Sequence, residues 1–349
     1  ALRRKLSATA LIELGSNENP YGPSPRALEA AHASLADPHR YPDPLGGDLS
    51  RALATKHGVA PAQILLGNGS HELLMQFAQV FAGPGADVVA SRYGFAVYAL
   101  AAQAAGATLR ITEPHPRVHA AQPHGHDLDA IAAQISATTR LVYLANPNNP
   151  TGTWFAGDAF VRFMRRVPNN VIVVVDEAYA EFAIDDADGY RSALALLSQH
   201  RNLVVTRTFS KAYALAGLRI GYAIGDAGLI AVMQRVRESF NVNMPGLAAA
   251  LAALDDPQHL AAGIAANRIE RKALANALRT RRWKVTPSAT NFLLVDFGER
   301  TPMIERELLA RGVVRRPMGG YGLPGCLRIT VGTATENARL ISALDAIAD

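Results

Sequence analysis

The sequence predicts an α/β fold in which a large domain built on a mostly parallel sheet is joined to a smaller α+β domain. Three observations lead to this prediction. Between about residues 64 and 225, short apolar runs alternate with helical segments. The runs are continuous in β-branched residues, as in 171–175, which is typical of strands buried on both faces of a parallel sheet. After Asn243 this alternation gives way to longer helices and separated strands.

The first 40 residues show no long periodic segment. Residues 15–25 are dense in glycine, proline and asparagine, so we expect an ordered loop there. A short helix is predicted over 26–35, followed by a loop over 40–47 and a helix over 48–57. We interpret 1–40 as an N-terminal segment that packs with the smaller domain.

Residues 41–245 are predicted to form the large domain. An apolar run at 63–66 turns through 67–70 into an amphipathic helix at 71–81. An alanine-rich helix is predicted over 95–105 and ends at Gly106. The remaining predicted strands of this domain are 87–90, 141–145, 171–175, 203–205 and 219–223.

Residues 246–349 are predicted to form the smaller domain. Its last helix begins near Glu336, and Thr333 stands three residues earlier, which is the spacing of a capping box. The other predicted elements are a helix over 257–282, a strand over 291–297, a helix over 302–311 and a strand over 326–331.

Composition excludes several classes of protein. The chain has 349 residues, of which 49% are hydrophobic, and this suits a globular enzyme with a large core. Cys326 is the single cysteine, so an internal disulfide is impossible and a reducing, cytoplasmic compartment is predicted. We expect no secretory signal and no membrane segment, because no apolar run approaches the required length.

The net charge of +5 would permit a nucleic-acid partner. The basic clusters at 162–166 and 279–282, however, fall in helix-like segments without interleaved aromatic residues, which favours solvated helix faces. A mild positive charge also suits an enzyme that acts on small anionic metabolites. We therefore predict small-molecule substrates, no nucleic acid, no membrane and no metal site.

One lysine, Lys211, follows an apolar run in the stretch 206–219. Partial burial at the end of a strand lowers the pKa of an amine and makes it a nucleophile toward an aldehyde. The hypothesis is that Lys211 carries pyridoxal 5'-phosphate (PLP). A solvated surface lysine explains the stretch equally well when it is taken alone, so the hypothesis depends on the polar residues at the other strand ends.

A phosphate cup is predicted where the first strand turns into its helix, at Ser70 and His71. The preceding glycines let the backbone approach an anion, and a helix N-terminus offers free amides. Ser210 and Arg219 flank Lys211 and suit a phosphate as well. The alternative for the turn is a serine cap without a ligand.

Three further polar residues follow strands of the predicted sheet. Asp176 directly follows the apolar run 171–175, and a carboxylate there is costly unless it meets a cation, such as a protonated pyridine nitrogen. Asn149, in a proline-fixed loop, and Tyr179 could each donate to a phenolate oxygen. The alternatives are a plain turn at Asn149 and a helix-capping role for Asp176.

Two arginines are candidates for binding a substrate anion. Arg328 stands inside an otherwise apolar run, where an arginine needs a partner such as a carboxylate or a phosphate. Arg316 could be a second contact, and a surface charge explains it nearly as well.

Together these motifs resemble the histidinol-phosphate aminotransferase family, which has the fold of the fold-type I PLP-dependent aminotransferases. The matching stretches are 17–25, 41–43, 67–70, 147–152, 176–179, 206–219 and 327–332. They span nearly the whole chain. The resemblance implies a large PLP-binding domain, a smaller domain and a homodimer with shared active sites, so the N-terminal segment could also pack on the partner subunit.

The resemblance implies roles around the cofactor ring. Lys211 would bind PLP covalently and act as general base and then general acid. Asp176 would pair with the pyridine nitrogen, and Asn149 and Tyr179 with the 3-oxygen. Tyr93 matches the aromatic residue that stacks on the ring.

It also implies how the cofactor phosphate is held. The backbone at Ser70 and His71 would bind it together with the side chains of Ser210 and Arg219. Tyr41 matches a residue that reaches the phosphate of the neighbouring subunit's cofactor.

At the substrate end, the resemblance implies that Arg328 clamps the anionic group with help from Arg316, while Tyr21 covers the site. The chain departs from the usual family pattern at His71, where aspartate is common, at 91–93 and at 239–243. The first departure should affect PLP binding little, because that side chain need not touch the cofactor. The other two bear on the choice of substrate.

The predicted function is PLP-dependent transamination between L-histidinol phosphate and a 2-oxo acid such as 2-oxoglutarate, in histidine biosynthesis. An aromatic amino-acid aminotransferase and a PLP-dependent decarboxylase of a phosphorylated amino acid are the alternatives with the same fold. A PLP-sensing regulator would need a DNA-binding module for which the N-terminus is too short. A nucleotide-binding protein is disfavoured, because neither the P-loop nor the complete dinucleotide fingerprint is present.

Overall fold

The computed structural model describes residues 11–119 and 121–348. Its strands are β1 (Ile12–Glu13), β2 (Ile64–Gly67), β3 (Asp87–Ser91), β4 (Thr108–Thr112), β5 (Thr139–Ala145), β6 (Ile172–Asp176), β7 (Leu203–Thr208), β8 (Gly221–Gly225), β9 (Lys284–Val285), β10 (Phe292–Asp296), β11 (Val313–Val314), β12 (Arg316–Pro317) and β13 (Cys326–Thr330). Its helices are α1 (Pro25–Ala33), α2 (Gly47–His57), α3 (Ser70–Phe81), α4 (Val97–Ala104), α5 (Leu128–Ala133), α6 (Gly157–Met164), α7 (Ala180–Ala183), α8 (Ala227–Gln234), α9 (Met244–Leu254), α10 (Pro257–Thr280), α11 (Thr301–Ala310) and α12 (Ala334–Ala348).

The central sheet has seven strands in the order β2-β8-β7-β6-β5-β3-β4. The pairs from β7 to β4 are parallel, and β8 is antiparallel to both of its neighbours. The prediction of a mostly parallel sheet is confirmed. Strands β5, β6 and β7 end at the same edge, which places the residues that follow them side by side.

Helices cover both faces of this sheet, and the alternation of side chains along a strand explains why the strands are apolar throughout. Val174 packs into a core with α3, α4 and α8. Its neighbours Val173 and Val175 point to the opposite face and pack with α5 and α6. Because both faces of the sheet are covered by apolar side chains, a polar residue in this sheet is tolerated mainly at a strand end.

The C-terminal part contains a four-stranded antiparallel sheet in the order β12-β13-β10-β9. Helices α10, α11 and α12 supply apolar residues to the core beneath it. Strand β1 pairs in parallel with β11, so the start of the described chain lies against this part of the molecule. The hydrogen bonds between Thr333 and Glu336 are those of the predicted capping box. The domain boundaries at residues 41 and 246 stay a prediction.

Some elements were not predicted, and their sequences explain why. Strand β4 is an edge strand in which four of the five residues are at least partly exposed, so it has no continuous apolar run. Helix α9 was not predicted, because the predicted helix of this region began only at residue 257. The predicted strand at 219–223 begins later, because Arg219 has a φ of 55° and cannot continue a strand. Within the described residues, none of the helices has the length and hydrophobicity needed to cross a bilayer.

Candidate active site

A cavity of about 380 Å³ opens at the carboxyl edge of the central sheet, where β13 of the C-terminal part faces it. Ten of the thirteen predicted site residues line this cavity. They are Ser70, His71, Asn149, Asp176, Tyr179, Ser210, Lys211, Arg219, Arg316 and Arg328. The convergence follows from the topology, since most of these residues stand just after a strand of one sheet or on a strand that crosses its edge.

Lys211 lies three residues beyond the end of β7. Phe209 is fully buried and fixes the chain at the start of this loop. The Lys211 Nζ donates to the backbone carbonyls of Asn17 (3.1 Å) and Ser16 (3.4 Å). Burial, and then the positive charge of Arg328, lowers the pKa of Lys211 to about 8. An amine with this pKa is partly unprotonated near neutral pH and can both accept and release a proton.

Asp176 is the last residue of β6, and its side chain is 5% exposed. Its Oδ1 accepts from the Ala178 amide (3.2 Å) and from the Thr206 hydroxyl (3.3 Å), and its Oδ2 accepts from the Tyr98 hydroxyl (3.3 Å). Burial raises the pKa of Asp176 to about 6. Within the described residues these partners are all neutral, so the buried carboxylate has room for a cationic partner from the cavity.

The turn from β2 into α3 forms a closely packed part of the cavity wall. Gly69 has a φ of 79°, and a Cβ atom there would lie 2.4 Å from the Arg219 Nη2. A Cβ atom at Gly221 would lie 2.4 Å from the Ser70 amide nitrogen. These glycines therefore let a guanidinium and a helix N-terminus approach the same space, which is an arrangement suited to an anion.

We call this site, formed by Ser70, Ser210 and Arg219, the anion cradle, and the His71 side chain lies beside it. Arg219 donates from Nη1 to the Ser210 Oγ at 3.2 Å. Helix α3 begins at Ser70 with no side chain capping its first turn, so the first amides are free for a ligand. Burial and the nearby Arg219 charge lower the pKa of His71, which keeps that imidazole neutral near pH 7.

Asn149 is oriented by Arg328. The Arg328 Nη1 donates to the Asn149 Oδ1 at 2.6 Å, and its Nη2 donates to the Gly15 carbonyl at 2.9 Å. An arginine only donates, so the amide oxygen of Asn149 must face it and the amide NH₂ remains as a donor. The predicted role of Asn149 as a donor is compatible with this orientation.

Tyr179 contacts a residue that sequence reasoning did not single out. Its hydroxyl accepts from the Asn17 Nδ2 at 2.9 Å, and burial raises its pKa to about 12. Asn17 also binds the Thr330 hydroxyl through its backbone amide, at 2.9 Å. The N-terminal loop thus connects Tyr179 to Lys211, whose amine binds the Asn17 carbonyl.

Arg316 and Arg328 are paired across β12 and β13. Arg328 is 7% exposed, whereas Arg316 is an exposed residue of the short strand β12. Both arginines line the cavity, and burial, followed by the charge of Arg316, lowers the pKa of Arg328. Two positive charges on adjacent strands create a site for an anion.

Three predicted residues are not among those that line this cavity. The Tyr93 ring lies edge-on to His124, with 5.3 Å between ring centroids, and borders a neighbouring pocket. Tyr41 is 80% exposed and stacks on Phe240. Tyr21 is 37% exposed on the N-terminal loop. Their roles toward cofactor and substrate stay predictions.

Several residues of the wall were missed. Asn17 stands in a loop that was noted for its turn formers and for the family resemblance but given no role, and its φ of 56° is a conformation that asparagine tolerates. Tyr321 ends a short 3-10 helix and Phe95 lies in the loop before α4, and Tyr321 accepts from the Ala96 amide at 3.4 Å. Ser16, Ala145, Pro147, Ala178 and Thr208 complete the wall. For Tyr321 and Phe95 no local pattern predicted the position.

Comparisons with known proteins agree on one family. The family model for aminotransferase class I and II matches residues 9–344. The chain is 45% identical to histidinol-phosphate aminotransferase 2 of Pseudomonas aeruginosa, over 97% of this chain and 89% of that protein. It is 44% identical to histidinol-phosphate aminotransferase 2 of Methylococcus capsulatus, over 99% of this chain and 92% of that protein.

A solved structure gives the same result in three dimensions. The crystal structure of histidinol-phosphate aminotransferase from Sinorhizobium meliloti, in complex with pyridoxal-5'-phosphate, superposes with a TM-score of 0.89 at 32% sequence identity. The match covers 99% of this chain and 93% of that one.

Proposed function

We propose that this chain, which belongs to the aminotransferase class I and II family, transfers an amino group from L-histidinol phosphate to a 2-oxo acid such as 2-oxoglutarate, in histidine biosynthesis. The cofactor of such an enzyme is PLP. One observation carries the proposal: a lysine of lowered pKa, a buried carboxylate and an anion cradle share one cavity with a pair of arginines. The names of the relatives support the choice of substrate.

The residues around the cavity fit PLP. The anion cradle of Ser70, Ser210 and Arg219 suits the phosphate, because it combines helix amides, a hydroxyl and a guanidinium. Asp176, buried among neutral partners, suits a protonated ring nitrogen. When bound, PLP supplies an electron sink that stabilises negative charge at the substrate carbon.

The other cofactor contacts follow the same reasoning. The free amide group of Asn149 and the Tyr179 hydroxyl would hold the ring oxygen, and the backbone at His71 would join the phosphate site. Lys211 would bind the cofactor covalently. Tyr93 would contact the ring face.

The chain's own groups account for proton movement. Asp176 in its ionised form would keep the ring nitrogen protonated. The Lys211 amine, released when the amino donor takes its place on the cofactor and held by the carbonyls of Ser16 and Asn17, would take a proton from the substrate carbon and later give it back as general acid. Its pKa of about 8 suits both directions of transfer near neutral pH.

Arg328 and Arg316 would bind the anionic end of each substrate. The phosphate of histidinol phosphate and a carboxylate of the 2-oxo acid both accept from planar guanidinium groups. Arg328 is held by Asn149 and Gly15, so its position is set before a substrate enters. Tyr21, on the N-terminal loop, would cover this end of the site.

We further propose a homodimer in the cytoplasm. The exposed Tyr41 stacks on Phe240, with 4.5 Å between ring centroids, and this aromatic pair suits a contact with a second copy. From there the Tyr41 hydroxyl would reach the cofactor phosphate of the partner subunit. The predicted division into an N-terminal segment 1–40, a large domain 41–245 and a small domain 246–349 belongs to the same proposal.

The test is a comparison of amino donors in the first half of the reaction. Purified holoenzyme is mixed with histidinol phosphate, histidinol, phenylalanine, tyrosine or phosphothreonine, and the visible absorbance of the bound cofactor is followed. We expect histidinol phosphate to react with a kcat/KM at least about 100-fold above that of histidinol, because histidinol lacks the phosphate that the two guanidinium groups would bind.

Faster reaction with phenylalanine or tyrosine than with histidinol phosphate would instead support an aromatic amino-acid aminotransferase. Release of carbon dioxide from phosphothreonine would support a decarboxylase. No absorbance change with any amine would contradict the proposed transamination.

A further inference from the structure

The side chain of Tyr98 is fixed behind the candidate cofactor site. It belongs to the first turn of α4 and is 1% exposed. Its ring stacks on Tyr143, with 4.8 Å between centroids and 6° between planes, and lies edge-on to Phe95. Because the Tyr98 ring is packed on two sides, its orientation is fixed, and so is the position of its hydroxyl.

The Tyr98 hydroxyl lies next to the Asp176 carboxylate. The Tyr98 hydroxyl donates to the Oδ2 of Asp176, whereas the Oδ1 takes both the Ala178 amide and the Thr206 hydroxyl. Among the donors that the described residues provide, Tyr98 is the one assigned to Oδ2. Burial raises the pKa of Tyr98 well above its usual value, so the tyrosine stays protonated and acts as the donor.

We propose that Tyr98 is a positioning residue whose hydroxyl orients the Asp176 carboxylate and favours its ionised form opposite the cofactor ring nitrogen. This inference rests on the siting of the ring given under the proposed function. The physical reason is that burial opposes ionisation of Asp176, and each hydrogen bond to the carboxylate offsets part of that cost. Without Tyr98, Oδ2 would lose its anchor and the carboxylate could rotate or bind a proton.

The chain offers a matched control. Tyr143 is the other half of the same stack, is 0% exposed, and donates its hydroxyl to the Leu74 carbonyl instead of to Asp176. Tyr98→Phe and Tyr143→Phe each remove one buried hydroxyl from the same pair of rings. They differ in whether Asp176 loses a hydrogen bond.

The test measures the affinity of cofactor-free protein for PLP by absorbance titration. We expect Tyr98→Phe to weaken PLP binding by about tenfold and Tyr143→Phe by less than about twofold, because a hydrogen bond to a charged group is worth more than one to a carbonyl. The same variants are titrated with the carbocyclic PLP analogue that lacks the ring nitrogen. For that analogue, Tyr98→Phe should bind as the unsubstituted protein does.

A double-mutant cycle completes the design. Asp176→Asn should weaken PLP binding, and Tyr98→Phe should have no further effect in that background. In turnover, Tyr98→Phe should lower kcat and leave KM for the 2-oxo acid unchanged, because Tyr98 does not touch substrate.

Each other outcome has a meaning. Equal weakening of PLP and of the analogue by Tyr98→Phe would show a general packing defect and overturn the inference. So would additive effects of Tyr98→Phe and Asp176→Asn. If Asp176→Asn itself left PLP affinity unchanged, the siting of the ring would be wrong, and the role of Tyr98 would fall with it.

Discussion

The two ends of the cavity are built differently. The end that we propose for the cofactor consists of residues that follow strands of the seven-stranded sheet, and Asp176 there is 5% exposed with a hydrogen bond to each carboxylate oxygen. The substrate end is assembled from the N-terminal loop and from strands of the C-terminal part. There Arg316 and Tyr21 are exposed.

This difference in construction indicates how firmly the residues at each end of the cavity are held. A residue at the end of a buried strand is fixed by the packing of the whole sheet, so the cofactor end is rigid by construction. Arg316 and Tyr21, on a short strand and a loop, are exposed, so their positions depend more on neighbouring residues and on a bound ligand. Substitutions at the proposed cofactor end should therefore lower kcat, and substitutions at the proposed substrate end should raise KM.

The largest effect is expected at Lys211. Lys211→Ala removes both the covalent attachment of PLP and the proton-transferring amine, so we expect kcat to fall by at least about 10⁴-fold. Reduction with borohydride followed by peptide mass spectrometry should no longer find cofactor attached to this position. Lys56→Ala, at an exposed residue of α2, is the control and should retain activity and attachment. A cofactor adduct that persists in Lys211→Ala would remove Lys211 from its proposed role.

The next effect concerns stability and pH in cofactor-free protein. The pKa of Asp176 in the folded chain is about 6, against an ordinary value of 3.8, so folding favours its protonated form. Its contribution to stability is present below about pH 4 and is lost as pH rises through 6. The difference between the two pKa values corresponds to about 3 kcal/mol. Asp176→Asn should therefore gain roughly that much stability over the unsubstituted protein between pH 4 and pH 7.5, measured by urea unfolding.

Asp226 provides a control of opposite sign. The Arg201 side chain lowers the pKa of Asp226, so the stability that this residue contributes is present above the ordinary aspartate pKa and is lost on acidification. Asp226→Asn should destabilise the protein more at pH 7.5 than at pH 4. If the free energies of unfolding of Asp176→Asn and of the unsubstituted protein changed in parallel with pH, the raised pKa of the buried Asp176 carboxylate would be contradicted.

The smallest effects are expected at the substrate end, and they should be graded by burial. Arg328→Lys keeps the charge but loses the fork that binds Asn149 and Gly15, so we expect KM for histidinol phosphate to rise by about 100-fold. Arg316→Gln removes an exposed charge and should raise KM by about tenfold. Arg282→Gln is the control, because Arg282 is also exposed but is not among the residues that line the cavity. A KM in Arg316→Gln that exceeds that of Arg328→Lys would reverse the proposed order of importance.

The sequence allowed prediction of the residues that line the sheet edge of the cavity because they follow apolar runs, and a polar group at such a place needs a partner. Asp176 and Lys211 are recognisable for this reason. Tyr98 is not, because a tyrosine within an apolar helix segment has the pattern of an ordinary core residue. Asn17 is not, because its contact with Tyr179 joins residues 162 positions apart.

The fold divides in the same way. Strands buried on both faces, such as β6, are continuous in valine and were predicted within one or two residues. Strand β4 lies at the edge and mixes exposed with buried residues, so the periodicity that marks a strand is weak. Arg219 has a positive φ, and no local propensity of arginine predicts it.

The pairing of Arg316 with Arg328 across β12 and β13 has a practical consequence for anyone who measures this protein. Two like charges on adjacent strands repel each other until an anion lies between them. Inorganic phosphate and sulfate carry the same charged oxygens as the proposed substrate, so they should compete for this place. Rates recorded in phosphate buffer would then understate the affinity for the amino donor, and a buffer with a bulky, weakly coordinating anion is the better choice for kinetic work.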